Sequence, residues 1–225
     1  MAAKPTHIAF PEWTEYRKKN GLDPLGMQTS SVSFYQGLLP GISNVTLRMR
    51  YYGFYAWLCD TYAKKVGDTN PESWKRFVRR AEALYALVSE RHGNETGVAG
   101  IRWARKRLQA SKSGSLEFAQ DAEPGSSSHY LKQKWGAYGA AYASQLHEMG
   151  VFGAVEGHDI PVPGPKFGDD LVSAFSQGNE QVLNLYFDII NRGAVSLDEL
   201  DALYSISPSE ISSNSDERKW YEKIS

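Results

Sequence analysis

The chain has 225 residues, of which 41% are hydrophobic and 12% aromatic, and its formal net charge is −1. That length fits one large domain or two small ones, and a core rich in aromatic side chains needs no staples. The single cysteine, Cys59, excludes an internal disulfide and any cysteine-rich zinc site, and no window approaches the ~18 apolar residues of a membrane span, so with no signal-peptide stretch after Met1 the expected location is cytoplasmic.

In chain order, a short helix is predicted over 12–19 behind Pro11, a favourable first-turn proline, and another over 30–39, closed by Pro40-Gly41. The longest predicted helix covers 43–66, capped by Ser43 or Asn44. Met49, Tyr52, Tyr55, Cys59 and Tyr62 recur along it at helical spacing, and Phe54, Trp57 and Leu58 widen the stripe, which predicts burial over most of its girth. Asn70-Pro71-Glu72 supplies a cap, a first-turn proline and an N-terminal acid for a helix running to about Arg91. Its inner face is Trp74, Phe77, Val78, Ala81, Leu84, Tyr85 and Val88, with Lys75, Arg76, Arg79 and Arg80 mostly on the other side. A third helix over 98–110 carries Arg102, Arg105, Lys106 and Arg107.

Residues 111–128 are rich in Ser and Gly and are expected to form a flexible loop. Leu131, Trp135, Tyr138, Tyr142, Leu146 and Met149 then predict a helix over 129–150. A hairpin is expected over 151–155 and 160–162, followed by helices over 168–176 and 179–191. Ser196-Leu197-Asp198-Glu199 matches a capping box that opens another helix, Pro208 to Glu210 fits a brief turn, and 216–224 is helical. A chain that stops inside a helical pattern is expected to belong to something longer. The fold class expected is therefore all-α, with about eight helices and a small hairpin near 151–167.

The net charge hides an asymmetry. Residues 1–112 hold 18 Lys+Arg against 9 Asp+Glu, a balance of +9, and residues 113–225 hold 7 against 17, a balance of −10. This divides the chain into a basic helical lobe (1–112), the loop (113–128) and an acidic helical lobe (129–225). Lys75, Arg76, Arg79, Arg80, Arg102, Arg105, Lys106 and Arg107 sit on successive predicted helices. If those helices pack antiparallel, one surface collects charge that DNA or RNA phosphates reward through counterion release. The same residues also fit solvated helix faces, or cations paired with the acidic half. Arg48 and Arg50, beside Tyr51 and Tyr52, face different ways. They can hold a phosphate or stack a base, or fix a helix junction with one arginine buried against a carboxylate.

The run from Gly21-Leu22-Asp23-Pro24-Leu25-Gly26 through Pro40-Gly41-Ile42-Ser43-Asn44-Val45-Thr46 to Arg48, Arg50, Tyr51, Tyr52, Phe54 and Trp57 resembles the opening of poorly characterised bacterial proteins from mobile-element or phage-defence gene neighbourhoods. The resemblance covers roughly the first quarter of the chain and carries over no catalytic residue. It implies a bacterial cytoplasmic origin and a multi-protein defence or DNA-processing setting. Residues 142–175 resemble, more loosely, the helix, wing and next-helix layout of winged-helix domains. Lys166 is the only Lys or Arg between Val151 and Gln177, against Glu156, Asp159, Asp169 and Asp170, so such a wing would meet protein rather than DNA; a plain helical elbow fits the same residues equally well.

The histidines, His7, His92, His129, His147 and His158, are scattered. His147-Glu148 lacks the second histidine of the zinc-protease helix, and Gly164 to Gly168 lacks the ending of a phosphate loop. No metal, cofactor or catalytic residue is assigned. Three functions stay open: a non-enzymatic subunit touching nucleic acid through its basic half and a protein through its acidic half; a protein-interaction module whose charged halves pair with each other; and an enzyme whose site assembles from dispersed residues such as His158, Asp159, Asp169 and Asp170.

Overall fold

The computed structural model describes residues 48–93, 95–111, 114–212 and 215–224, with Ser31 and Phe34. The chain divides into two units, 1–39 and 40–225. The helices expected over 12–19 and 30–39, and the caps Ser43 and Asn44, lie outside the described residues.

Helix α1 (Arg50–Thr61) is buried along its whole length, as its all-round aromatic content requires. A wider helical turn, Tyr62–Val66, continues it to Gly67, whose φ of 65° ends it in the left-handed region. Helix α2 (Pro71–Arg91) starts as the sequence predicts: the Asn70 side chain accepts from Glu72 N and proline fills the first turn. Helix α3 (Ile101–Ala110) packs on α2. Around α1 and α2 the rings of Tyr51, Phe54, Tyr55, Tyr85, Tyr142 and Tyr186 stack or meet edge to face, with centroids 4.5–6.2 Å apart, the geometry aromatic quadrupoles prefer.

The expected flexible loop at 113–128 is corrected by the structure. It contains strand β1 (Ser115–Glu117) and helix α4 (Ala119–Ala122), and Leu116, Phe118 and Ala122 are buried. The helix expected over 129–150 is shorter. Residues 131–135 are not helical, a wider turn spans Tyr138–Tyr142, and helix α5 (Ala143–Glu148) follows. The reason is tertiary: Leu131 and Gln133 turn their carbonyls to the buried Arg79 guanidinium, and this packing overrides the helical pattern of 131–135.

Strands β2 (Phe152–Val155) and β3 (His158–Pro163) form the expected hairpin, pairing Phe152 with Pro163 and Val155 with His158. Helices α6 (Gly168–Ser176) and α7 (Glu180–Arg192) come next. Strand β4 (Ala194–Ser196) pairs antiparallel with β1, a sheet the sequence reading did not anticipate. Helix α8 (Leu197–Ala202) opens on the predicted capping box, Ser196 with Glu199. Helix α9 (Asp216–Ile224) is the last. The protein is thus mainly helical, with nine α-helices and two two-stranded sheets among the described residues.

The charge boundary is not a boundary in the core. Helix α1, from the basic half, packs most extensively on α6, from the acidic half. The Tyr186 hydroxyl of α7 donates to the Ala81 carbonyl of α2 at 2.6 Å. One hydrophobic cluster runs from Tyr51 to Tyr221.

Candidate functional site

Of the ten basic residues the sequence singles out, three are inside. Arg50 is 2% exposed. Its Nε and Nη2 donate to the two carboxylate oxygens of Glu217 at 2.8 and 3.0 Å, and its Nη1 donates to the carbonyls of Ser205 and Ser207. The Tyr221 hydroxyl completes the cluster by donating to Glu217 at 2.9 Å. Arg79 is fully buried and donates to the carbonyls of Ala122, Gln133 and Leu131, with the Tyr130 ring 5.0 Å from its guanidinium carbon. Lys75 lies over Trp135 and pairs with Glu72. A lone buried charge is costly. These three are satisfied by carbonyls, carboxylates and ring faces and offer nothing at the surface.

Four more are nearer the surface but engaged. Arg48 binds the Thr96 carbonyl and Glu95 at 2.7 and 3.3 Å. Arg80 faces Glu123 at 3.5 Å. Arg105 grips Glu90 with two bonds of 2.6 and 3.0 Å. Arg107 lies 3.0 Å from Asp121, which also accepts from Trp103 Nε1. The exposed remainder is Arg76, Arg102 and Lys106, the last two one turn apart on α3. Helices α2 and α3 do pack together, but the single basic face this could make is reduced to these three side chains.

The dispersed set His158, Asp159, Asp169 and Asp170 does not converge. His158 Nδ1 accepts from Ile160 N and lines a cavity of about 120 Å³, whereas Asp169 and Asp170 line an open groove of about 900 Å³ with Asp216 and Trp220. Among the described residues no group of three or more His, Cys, Asp or Glu is placed to hold a metal, and no described helix is long and apolar enough to cross a membrane. The Cys59 thiol donates to the Pro161 carbonyl at 2.8 Å, and burial pushes its pKa up, so it stays protonated.

The most unusual group is one the sequence reading passed over. Glu82 of α2 is 1% exposed and accepts from four donors: the Tyr55 hydroxyl at 2.7 Å, Ala137 N at 3.0 Å, Tyr138 N at 2.6 Å, and the Tyr130 hydroxyl. Its carboxylate therefore caps the helical segment that starts at Gly136, whose φ of 64° turns the chain into it. Burial pushes its pKa up to about 7, against the pull of the Tyr55, Tyr138 and Ala137 bonds and of Arg79. The signal that could have found it is a lone acid in the apolar run Ala81-Glu82-Ala83-Leu84-Tyr85. The four donors converge on this one carboxylate and tie α1, Tyr130 and the segment after Gly136 to α2.

In comparisons with family models, curated proteins and solved structures, nothing matches this chain.

Proposed function

We propose that this chain is a non-enzymatic interaction subunit that meets another protein and holds its own two charged halves together. The observation that carries this reading is where the arginines go. Arg50 to Glu217, Arg80 to Glu123, Arg91 to Asp201 and Arg107 to Asp121 all join the basic half to the acidic half. A surface that collects phosphates needs free guanidiniums, and these are held by carboxylates. The hairpin between α5 and α6 is taken in this reading as a protein-facing wing. Glu156 in its turn and Asp159 on β3 are exposed acids. A defence or DNA-processing assembly in a bacterial cytoplasm, the setting implied by the resemblance of the first quarter, suits such a subunit.

A second reading, contact with DNA or RNA, is favoured by the exposure of Arg76, Arg102 and Lys106. The two separate in one titration of labelled duplex DNA, single-stranded DNA and RNA with the purified protein across a salt series. The interaction-subunit reading expects no saturable binding at physiological salt. Binding with a steep salt slope, weakened by charge reversal at Arg76, Arg102 and Lys106, selects the nucleic-acid reading.

A further inference from the structure

A cavity of about 260 Å³ opens between the wide turn at the end of α1, the first half of α2 and the end of α7. Three of its lining side chains carry donors that are not fully used: Arg80 meets Glu123 through Nη2 alone, at 3.5 Å. Tyr62 is 2% exposed and its Oη is buried with no hydrogen-bond partner; Arg80 Nε is buried and equally unpartnered. Arg76, one turn before Arg80 and so on the same helix face, has one long bond, from Nε to the Glu72 carbonyl at 3.5 Å. Unsatisfied buried donors are costly and rare in folded proteins, and here two of them belong to side chains that line one opening beside a second guanidinium. Phe77 and Ile190 supply an apolar wall.

We infer that this cavity binds the phosphoryl group of a small phosphate monoester, the oxygens held by Arg76, Arg80 and Tyr62 and the ester carbons lying on Phe77 and Ile190. Three separate donors suit three terminal oxygens on a tetrahedral phosphorus better than the two coplanar oxygens of a carboxylate, and guanidinium forks match phosphate geometry. The volume falls just below the ~300–1,000 Å³ of pockets for drug-sized ligands, which limits the ester to a few heavy atoms. Burial pushes the Tyr62 phenol up to about 12, with the Asp68 charge adding to the rise, so it is a hydrogen-bond donor at neutral pH. Two acids oppose the anion. Asp68 shares the wall, where the Ser73 hydroxyl, Asn70 N and Arg76 hold its carboxyl below the usual range and keep it charged. Glu123 competes for Arg80 at 3.5 Å. These acids weaken anion binding, so neutralising Asp68 must raise affinity.

The site is independent of whether the protein binds nucleic acid, and its test reads the two apart. Phenyl phosphate and inorganic phosphate are titrated calorimetrically into the full chain, beside a single-stranded oligonucleotide with and without a 5′-phosphate. Saturable binding of phenyl phosphate, tighter than inorganic phosphate, is expected. Arg76→Ala and Arg80→Ala should each weaken it about tenfold, Tyr62→Phe should weaken it less, and Asp68→Asn should tighten it. Arg102→Ala, away from the cavity, should leave it unchanged. No saturable binding of phenyl phosphate overturns the proposal, as does binding indifferent to Arg76→Ala. Binding of the 5′-phosphorylated oligonucleotide alone overturns the small-ester assignment. Should Arg80→Ala fail to fold, Arg76→Ala at an exposed position and the gain in Asp68→Asn decide the matter.

Discussion

Glu82 joins α2 to three other segments through four hydrogen bonds. A carboxylate in a fully buried position is tolerated here because two tyrosine hydroxyls and two backbone N–H groups point at it. Glu82→Ala removes the acceptor and leaves those donors buried, which should cost about 4 kcal/mol of stability, measured by urea unfolding. Its titration gives a second test. Burial lifts its folded-state pKa from 4.5 to about 7, so between those values the folded protein retains a proton that the unfolded chain has released. Stability from this group is fully present below the unfolded value and is lost as pH rises through about 7. Glu82→Gln cannot titrate. The difference in melting temperature, wild type minus Glu82→Gln, should therefore fall with rising pH across that window. His147, whose pKa burial lowers, pushes stability the other way but does so in both proteins and cancels. A difference flat with pH would show that Glu82 keeps one protonation state throughout.

At the scale of elements, α9 is held by α1. Arg50 reaches Glu217 with a two-bond fork, Tyr221 donates to the same carboxylate, and a Cβ added at Gly53 would collide with Tyr221 Oη. Glycine leaves the room that the Tyr221 hydroxyl and the Phe175 ring of α6 occupy against the helix backbone. Arg50→Ala leaves Glu217 buried and unpaired, a loss of about 3–5 kcal/mol. The prediction is that hydrogen exchange accelerates first over 216–224 while α2 stays protected. Replacing both partners, Arg50→Met with Glu217→Leu, should recover most of that stability, since an apolar pair of similar volume needs no desolvation of charge. The aromatic run of α1, the Asn70-Pro71 start of α2 and the Ser196 capping box were legible in the sequence because each depends on neighbours within one or two turns. What was illegible depends on partners far along the chain. Ser and Gly density made 113–128 read as a loop, yet Phe118 and Ala119 take the Gly193 carbonyl and β1 finds β4 about 80 residues on. Arg79 read as a surface cation beside Arg80, but its acceptors come from 122–133. Of the candidate basic surface the sequence identified the residue types; only contacts across the core could sort Arg76, Arg102 and Lys106 from those that are engaged.

Across the whole molecule the charge asymmetry and the core obey different logic. Arg91 with Asp201 and Arg80 with Glu123 are partly exposed pairs, each worth about 0–1 kcal/mol and screened by salt. They orient the halves without supplying much of the energy that joins them. That energy comes from apolar surface shared between the halves: Tyr51 stacked on Tyr142, Trp57 on Phe175 and Tyr186, Phe77 on Phe187. Raising salt should consequently change the melting temperature of the intact chain little, whereas dividing the chain at the charge boundary should destroy cooperativity. A fragment of residues 113–225 retains β1 with β4 but loses the α1 and α2 surfaces on which Phe175, Tyr186 and Ile190 are buried. Produced alone, it should show no cooperative thermal transition by circular dichroism, and a fragment of residues 1–112 should show none either. Mixing the two should restore a transition, with a midpoint that depends on concentration. A sharp melt of 113–225 by itself would mean that the acidic half carries its own core, and that the arginine pairs crossing the boundary dock two domains instead of finishing one.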